Sequence, residues 1–88
     1  MEIIMMVNVG FGNVVNTDKI IAVIAADSAP SKRMIQKARE ENRVIDATQG
    51  RKTQSILISD SNHIILSAFL PETILGRMEN RDKIFVEE

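Results

Sequence analysis

Arg51 and Lys52 stand side by side directly after Gly50 in the stretch DATQGRKTQ, residues 46–54. A turn needs the glycine but not two neighbouring cations. Their chemistry allows two uses: keeping a loop solvated, which any polar residue does, or pairing with the oxygens of an anion such as a phosphate. Residue type alone leaves both open. A second group, Lys32, Arg33, Lys37 and Arg39, falls in a stretch with helical spacing, where cations ordinarily do no more than solvate an outer face. Lys32 and Arg33 would occupy its first turn, where the macrodipole disfavours them by a few tenths of a kcal/mol, which leans slightly toward use.

Other chemistries find little support. His63 is the only histidine and there is no cysteine, so the nitrogen and sulfur ligands of a structural zinc site are missing and no metal or other cofactor is expected. His63 lies beside a turn signal with no GxSxG elbow, so a structural or solvated imidazole is favoured over a general base. GFGN, residues 10–13, begins like a dinucleotide fingerprint, but the third glycine would fall at Val15 and no helix pattern follows. It reads as a turn between strands. Asp46, Asp60 and Asp82 are too far apart for a calcium loop. An enzyme acting on a small-molecule substrate is therefore not expected.

The elements that must position the cations can be read from periodicity. IIMMVNV, residues 3–9, reads as a strand ending at the GFGN turn, and IIAVIAA, residues 20–26, as a second. Asp27-Ser28-Ala29-Pro30 carries helix-start residues, with Pro30 tolerated in the first turn. The helix is predicted from about Pro30 to Asn42, its apolar stripe being Met34, Ile35 and Ala38. Val44–Ala47 and Thr53–Ser59 read as strands joined through TQGRK as a hairpin; after the Asp60-Ser61-Asn62 turn, His63–Phe69 completes the meander. Pro71-Glu72-Thr73 opens a short last helix with Ile74, Leu75 and Met78 on one side. The expected class is α+β: a small antiparallel sheet in the order β-β-α-β-β-β-α with two short helices, followed by a charged tail over 80–88.

At 88 residues the chain has room for one domain, 1–88, burying roughly 60–65% of its unfolded surface. IIAVI, ILI and IIL are apolar on both faces, more than two short helices can cover, which points to a homo-oligomer. Eleven basic against twelve acidic residues give a net charge of −1, but the charge is segregated. Residues 19–52 carry eight cations and four carboxylates, net +4, whereas 1–18 sum to −2 and 53–88 to −3. A basic face is available if the fold gathers the middle segment on one side. The apolar run Ile3–Val7 is far too short to span a membrane and follows Glu2, so no membrane association is expected, and with no cysteines to pair a cytoplasmic placement is natural.

Four motifs in one order, VGFGN at 9–13, DSAPSKRMIQKAR at 27–39, IDATQGRKT at 45–53 and SNHIILSAFLPETI at 61–74, resemble the RemA family of small bacterial regulators of extracellular-matrix, or biofilm, genes. The similarity runs without obvious gaps from about Ile4 to Ile74. The resemblance implies a non-enzymatic transcriptional regulator that binds double-stranded DNA, hence nucleoid-associated, and forms closed rings. Its domain would be similar to LytTR-type DNA-binding modules. It carries the family's basic DNA-binding positions onto Lys19, Arg51 and Lys52 and the helix-start proline onto Pro30, while Lys32 and Arg33 stay weaker candidates on their place in the first helical turn alone. Arginine is typical of those basic positions in the family; Lys19 and Lys52 keep the charge without the rigid fork. The competing expectation is a structural or protein-binding oligomer that presents the mixed Glu40, Glu41 and basic helix face to another protein.

Overall fold

The computed structural model describes residues 2–79 and 83–86, the latter stretch and residues 2–4 as backbone course only. The described elements are β1 (Glu2–Gly10), β2 (Asn13–Asn16), a 3₁₀ turn (Thr17–Lys19), β3 (Ile20–Ala25), α1 (Ala29–Glu40), β4 (Val44–Asp46), β5 (Ser55–Ser59), β6 (Ile64–Ser67), α2 (Pro71–Glu79) and β7 (Lys83–Val86). They form the α+β architecture with two short helices that the periodicity predicts.

Two sheets divide the work. One has the order β2-β1-β7, the other β3-β5-β6-β4. In the second sheet β3 and β5, and β5 and β6, pair antiparallel, but β4 runs parallel to β6, with Val44 opposite Ile64 and Asp46 opposite Leu66. The expected hairpin through TQGRK is therefore corrected: β6 lies between β4 and β5, and the segment joining them crosses over the end of β6. GFGN does make a strand-to-strand turn, between β1 and β2, with Gly10, Phe11 and Gly12 all at positive φ. Of the segment read as a charged tail, residues 83–86 pair with residues 2–5 of β1, while 80–82 and 87–88 lie outside the described residues.

The apolar residues of β5 and β6 alternate between two cores, which explains why these strands read as apolar on both faces. Ile56, Ile64 and Leu66 meet Ala38 of α1, with Met34, Ile35 and Val44 packed alongside. Leu57 and Ile65 meet Val7 and Val9 of β1 and Ile74 of α2 on the other face. The stripe Met34-Ile35-Ala38 faces the core as its spacing requires, but α1 ends earlier than predicted. Asn42 takes φ 57°, and the N–H groups of Asn42 and Arg43 turn back to the carbonyls of Arg39 and Ala38, so asparagine fills the left-handed cap that glycine usually takes. At the other end Ser28 caps the helix and accepts from the Ser31 N–H, with Pro30 in the first turn.

One hydroxyl ties the sheets together. The register of β1 slips between Asn8 and Gly10, which frees the Val9 carbonyl, and the buried Ser67 Oγ donates to it at 2.6 Å while accepting the Phe69 N–H at 3.0 Å. Ser67→Ala would strand a carbonyl and an amide in the protein interior. We expect a loss of about 2 kcal/mol, read by urea denaturation at fixed protein concentration, with Gln36→Ala on the exposed side of α1 as the near-neutral comparison.

Candidate nucleic-acid interface

The connection from β4 to β5 is a constructed loop. Asp46 Oδ1 accepts from both the N–H of Thr48 (2.9 Å) and its hydroxyl (2.6 Å), and Thr48 itself is buried. The Thr48 carbonyl accepts the Arg51 N–H at 3.0 Å across Gln49 and Gly50, which take φ 54° and 78°. Two consecutive positive φ values are the signature of a type I′ turn. The ends of the loop are bonded to the end of β6: Ala47 N–H to the Leu66 carbonyl (2.9 Å) and Gln54 N–H to the Ser67 carbonyl (2.8 Å). The Gln54 carbonyl accepts from Ala26, just before α1.

Arg51 and Lys52 emerge from this frame exposed to solvent. The Arg51 guanidinium lies 5.6 Å from the centre of the Phe11 ring, within cation–π range. Among the described residues neither cation has a carboxylate within ion-pair distance. The entry to α1 is at the same end of the sheet, so Lys32 and Arg33, both exposed in the first helical turn, share that end on the α1 side.

Lys19 is elsewhere. It precedes β3 at the end where Ile20 pairs with Ser59, whereas the Arg51–Lys52 loop adjoins the end where Ala25 pairs with Ser55. Strand rise alone separates those ends by roughly 13 Å. Lys19 instead sits 3.9 Å from the Asp60 carboxylate, and its carbonyl accepts the Asp60 N–H. Lys19, which the resemblance groups with Arg51 and Lys52 as a DNA-binding position, is therefore not their neighbour within one protomer.

His63 belongs to the same far end. Its Nδ1 is 2.8 Å from Ser61 Oγ, which is in turn 2.8 Å from Ser59 Oγ, all within one turn that also includes Asn62 at φ 67°. The bonds close a turn; no carboxylate ion-pairs with the imidazole among the described residues. Those residues likewise include no cluster of three or more His, Asp or Glu able to hold a metal, and no helix long and apolar enough to cross a membrane. Three residues that the sequence reading missed join the cationic end: Phe11, Phe69 and Arg77, the last 4.9 Å from the Phe69 ring centre. Only Phe11 had a local signal, an aromatic between two glycines where a turn usually holds a polar residue.

The family model described as RemA-like, extracellular matrix regulatory protein A-like, matches residues 6–78. The chain belongs to the RemA-like family. Relatives that carry the name regulatory protein agree over nearly the whole chain. One from Clostridium novyi is 45% identical over 85 residues, 97% of this chain and 94% of the relative. One from Brevibacillus brevis is 49% identical over 79 residues, covering 90% and 92%. One from Halalkalibacterium halodurans is 48% identical over 81 residues, covering 92% and 93%. A RemA-like membership fits a regulatory role, and the loop that carries Arg51 and Lys52 falls inside the matched region.

The bonds from Thr48 hold the Asp46 carboxyl below the ordinary aspartate value, the hydroxyl contributing most, with Arg39 adding a smaller pull against a desolvation that acts the other way. A depressed carboxylate stabilises the fold above its unfolded pKa and loses that contribution as pH falls through the folded value. We therefore expect Asp46→Ala to cost about 1 kcal/mol at neutral pH, a modest figure because the carboxylate is solvent-exposed and screened. The difference from the unsubstituted protein should shrink below about pH 4, measured by denaturant midpoints across a pH series.

Proposed function

We propose that this RemA-like protein is a non-enzymatic transcriptional regulator that binds double-stranded DNA as a homo-oligomeric ring, acting on extracellular-matrix, or biofilm, genes in the cytoplasm at the nucleoid. The observation that carries the reading is the loop itself: Arg51 and Lys52 project from a turn fixed at both ends, exposed and free of carboxylate partners among the described residues. A cation held on a rigid frame reaches a phosphate with less ordering cost than one on a mobile loop. Most contacts would go to the backbone, so register and DNA shape would matter more than base edges.

A net charge of −1 makes a single copy a weak DNA ligand. Several copies around a ring would present successive loops to one continuous polyanion and multiply the local affinity. Two different apolar surfaces support a head-to-tail assembly. One is a hollow of about 430 Å³ between β3 and α2, where Ile21 and Leu75 are exposed. The other, about 490 Å³, opens beside β2 and β4, where Val14 and Ile45 are exposed. Unlike patches that meet between copies are what a closed ring requires. Lys19 lines the second hollow, which would put it at the boundary between protomers.

Arg51→Ala should weaken binding about equally on unrelated duplexes and reduce the salt slope by roughly one unit per engaged subunit; Lys52→Ala should act in the same direction. Fluorescence anisotropy across a salt series measures both. If the unsubstituted protein retained no generic duplex at low salt, the protein-binding alternative would be preferred. Light scattering tests the assembly: a species several times the 9.8 kDa chain mass is expected, reduced by Ile21→Asp or Ile45→Asp, and a monodisperse monomer would overturn the ring.

A further inference from the structure

The cationic end extends beyond Arg51 and Lys52. Phe11, Arg51, Lys52, Gln54, Ala68 and Phe69 line one shallow hollow of about 350 Å³. The Arg51 guanidinium lies 5.6 Å from the centre of the Phe11 ring, and the Arg77 guanidinium 4.9 Å from that of Phe69. Both rings line the hollow beside Lys52, so each ring that seats a guanidinium also borders the same hollow.

The Phe69 ring is firmly placed. The Phe69 main chain is fixed at both polar atoms, its N–H to Ser67 Oγ and its carbonyl to Ser55 Oγ at 2.6 Å. The β1–β2 turn lies against the ring, since a Cβ added at Gly10 would be 3.8 Å from its Cε1. Arg77 is exposed two turns into α2, whereas Glu72 of the same helix lines the separate hollow beside β3. The cationic end therefore gathers three cations drawn from two distant parts of the chain.

We propose that Arg77 is a third phosphate contact, and that Phe11 and Phe69 are positioning residues that seat the Arg51 and Arg77 guanidinium groups. The ligand is the sugar–phosphate backbone of duplex DNA. Each guanidinium fork can grip a phosphate with two N–H groups, and the apolar Phe11, Ala68 and Phe69 lining of the hollow suits deoxyribose. The inference rests on the reading of Arg51 and Lys52 as DNA contacts and adds a residue to it.

The test is a salt series of anisotropy titrations with a generic duplex on the full chain, comparing Arg77→Gln, Arg77→Lys, Arg51→Gln, Phe69→Leu and Phe69→Tyr. Arg77→Gln should lower the slope by about 0.9 per engaged subunit, as Arg51→Gln does, and Arg77→Lys should keep it. Phe69→Leu should weaken binding about two- to fivefold at an unchanged slope, and Phe69→Tyr should restore it. A lowered slope for Arg51→Gln beside an unchanged one for Arg77→Gln would overturn the role of Arg77 and leave the DNA reading standing. Absence of duplex binding by the unsubstituted protein would remove the underlying reading instead. As a check that needs no variant, bound duplex should shield Arg77 from phenylglyoxal, read by mass spectrometry; Arg77 modified at the free-protein rate while Arg51 is shielded would equally overturn the assignment.

Discussion

The parallel pairing of β4 with β6 is the constraint on which the rest depends. Because β4 runs parallel to β6 on one edge and β5 runs antiparallel to it on the other, the chain leaving β4 must pass over the end of β6 before it can begin β5. That passage solves a second problem. The carbonyls of Leu66 and Ser67 at the end of β6 accept the N–H groups of Ala47 and Gln54, the two ends of the crossing segment. The groups that complete the ladder are thus the groups that fix the loop, and Arg51 and Lys52 inherit a rigid base from main-chain hydrogen bonding. Gln49 at φ 54° is tolerated because it is held between two such anchors.

Buried serines extend that rigidity to the neighbouring layer. Ser55 and Ser67 are fully buried, and their hydroxyls donate to the carbonyls of Phe69 and Val9. Ser31 does the equivalent work for the helix, donating to the Ala25 carbonyl at 2.7 Å from a position next to the Ser28 cap. Each hydroxyl meets a carbonyl outside regular pairing: the bulge at Val9, the bend at Phe69 and the exit from β3. Among the described residues no buried side-chain nitrogen or oxygen is left without a partner. The interior polarity follows the irregular main chain, and most of that irregularity lies at the end where the cations are displayed.

How far all this could be read from the sequence depended on whether the signal was local. The five expected strands, both helices, the Ser28–Pro30 helix start and the turn at GFGN come from short-range chemistry and appear where the residues put them, whereas β2 and β7, absent from the expected order, exist by pairing with β1. The TQGRK connection is not decided by its own residues, because glycine between two strand-like segments looks the same whether the strands are neighbours or have a third inserted between them; that choice is settled by distant pairing with Ile64–Leu66. α1 stops short of Asn42 because a left-handed asparagine serves as its cap, a use that residue identity permits without announcing. In the candidate site, Arg51 and Lys52 were visible as neighbours in sequence. Arg77 and Phe69 could not be grouped with them, since only the fold brings residues 69 and 77 to the turn at Phe11.

Lys19 shows how geometry changes the weight of a charge. Within one protomer it lies at the opposite end of the β3–β5 pair from Arg51 and faces Asp60 at 3.9 Å, so part of its field is cancelled before any ligand arrives. Both members of the pair are largely exposed, so the attraction holding Lys19 to Asp60 is small, about 0–1 kcal/mol, and a phosphate could compete for the ammonium. The Arg51 side chain meets a ring rather than a carboxylate, which leaves its full charge available. In the proposed ring the two sites need not belong to the same stretch of contact: Lys19 lines the hollow where a neighbouring copy would dock, so its nearest loop could be the neighbour's and not its own. Assembly would then complete a cationic surface that no protomer contains alone, and DNA affinity and oligomer formation would rise together as linked equilibria.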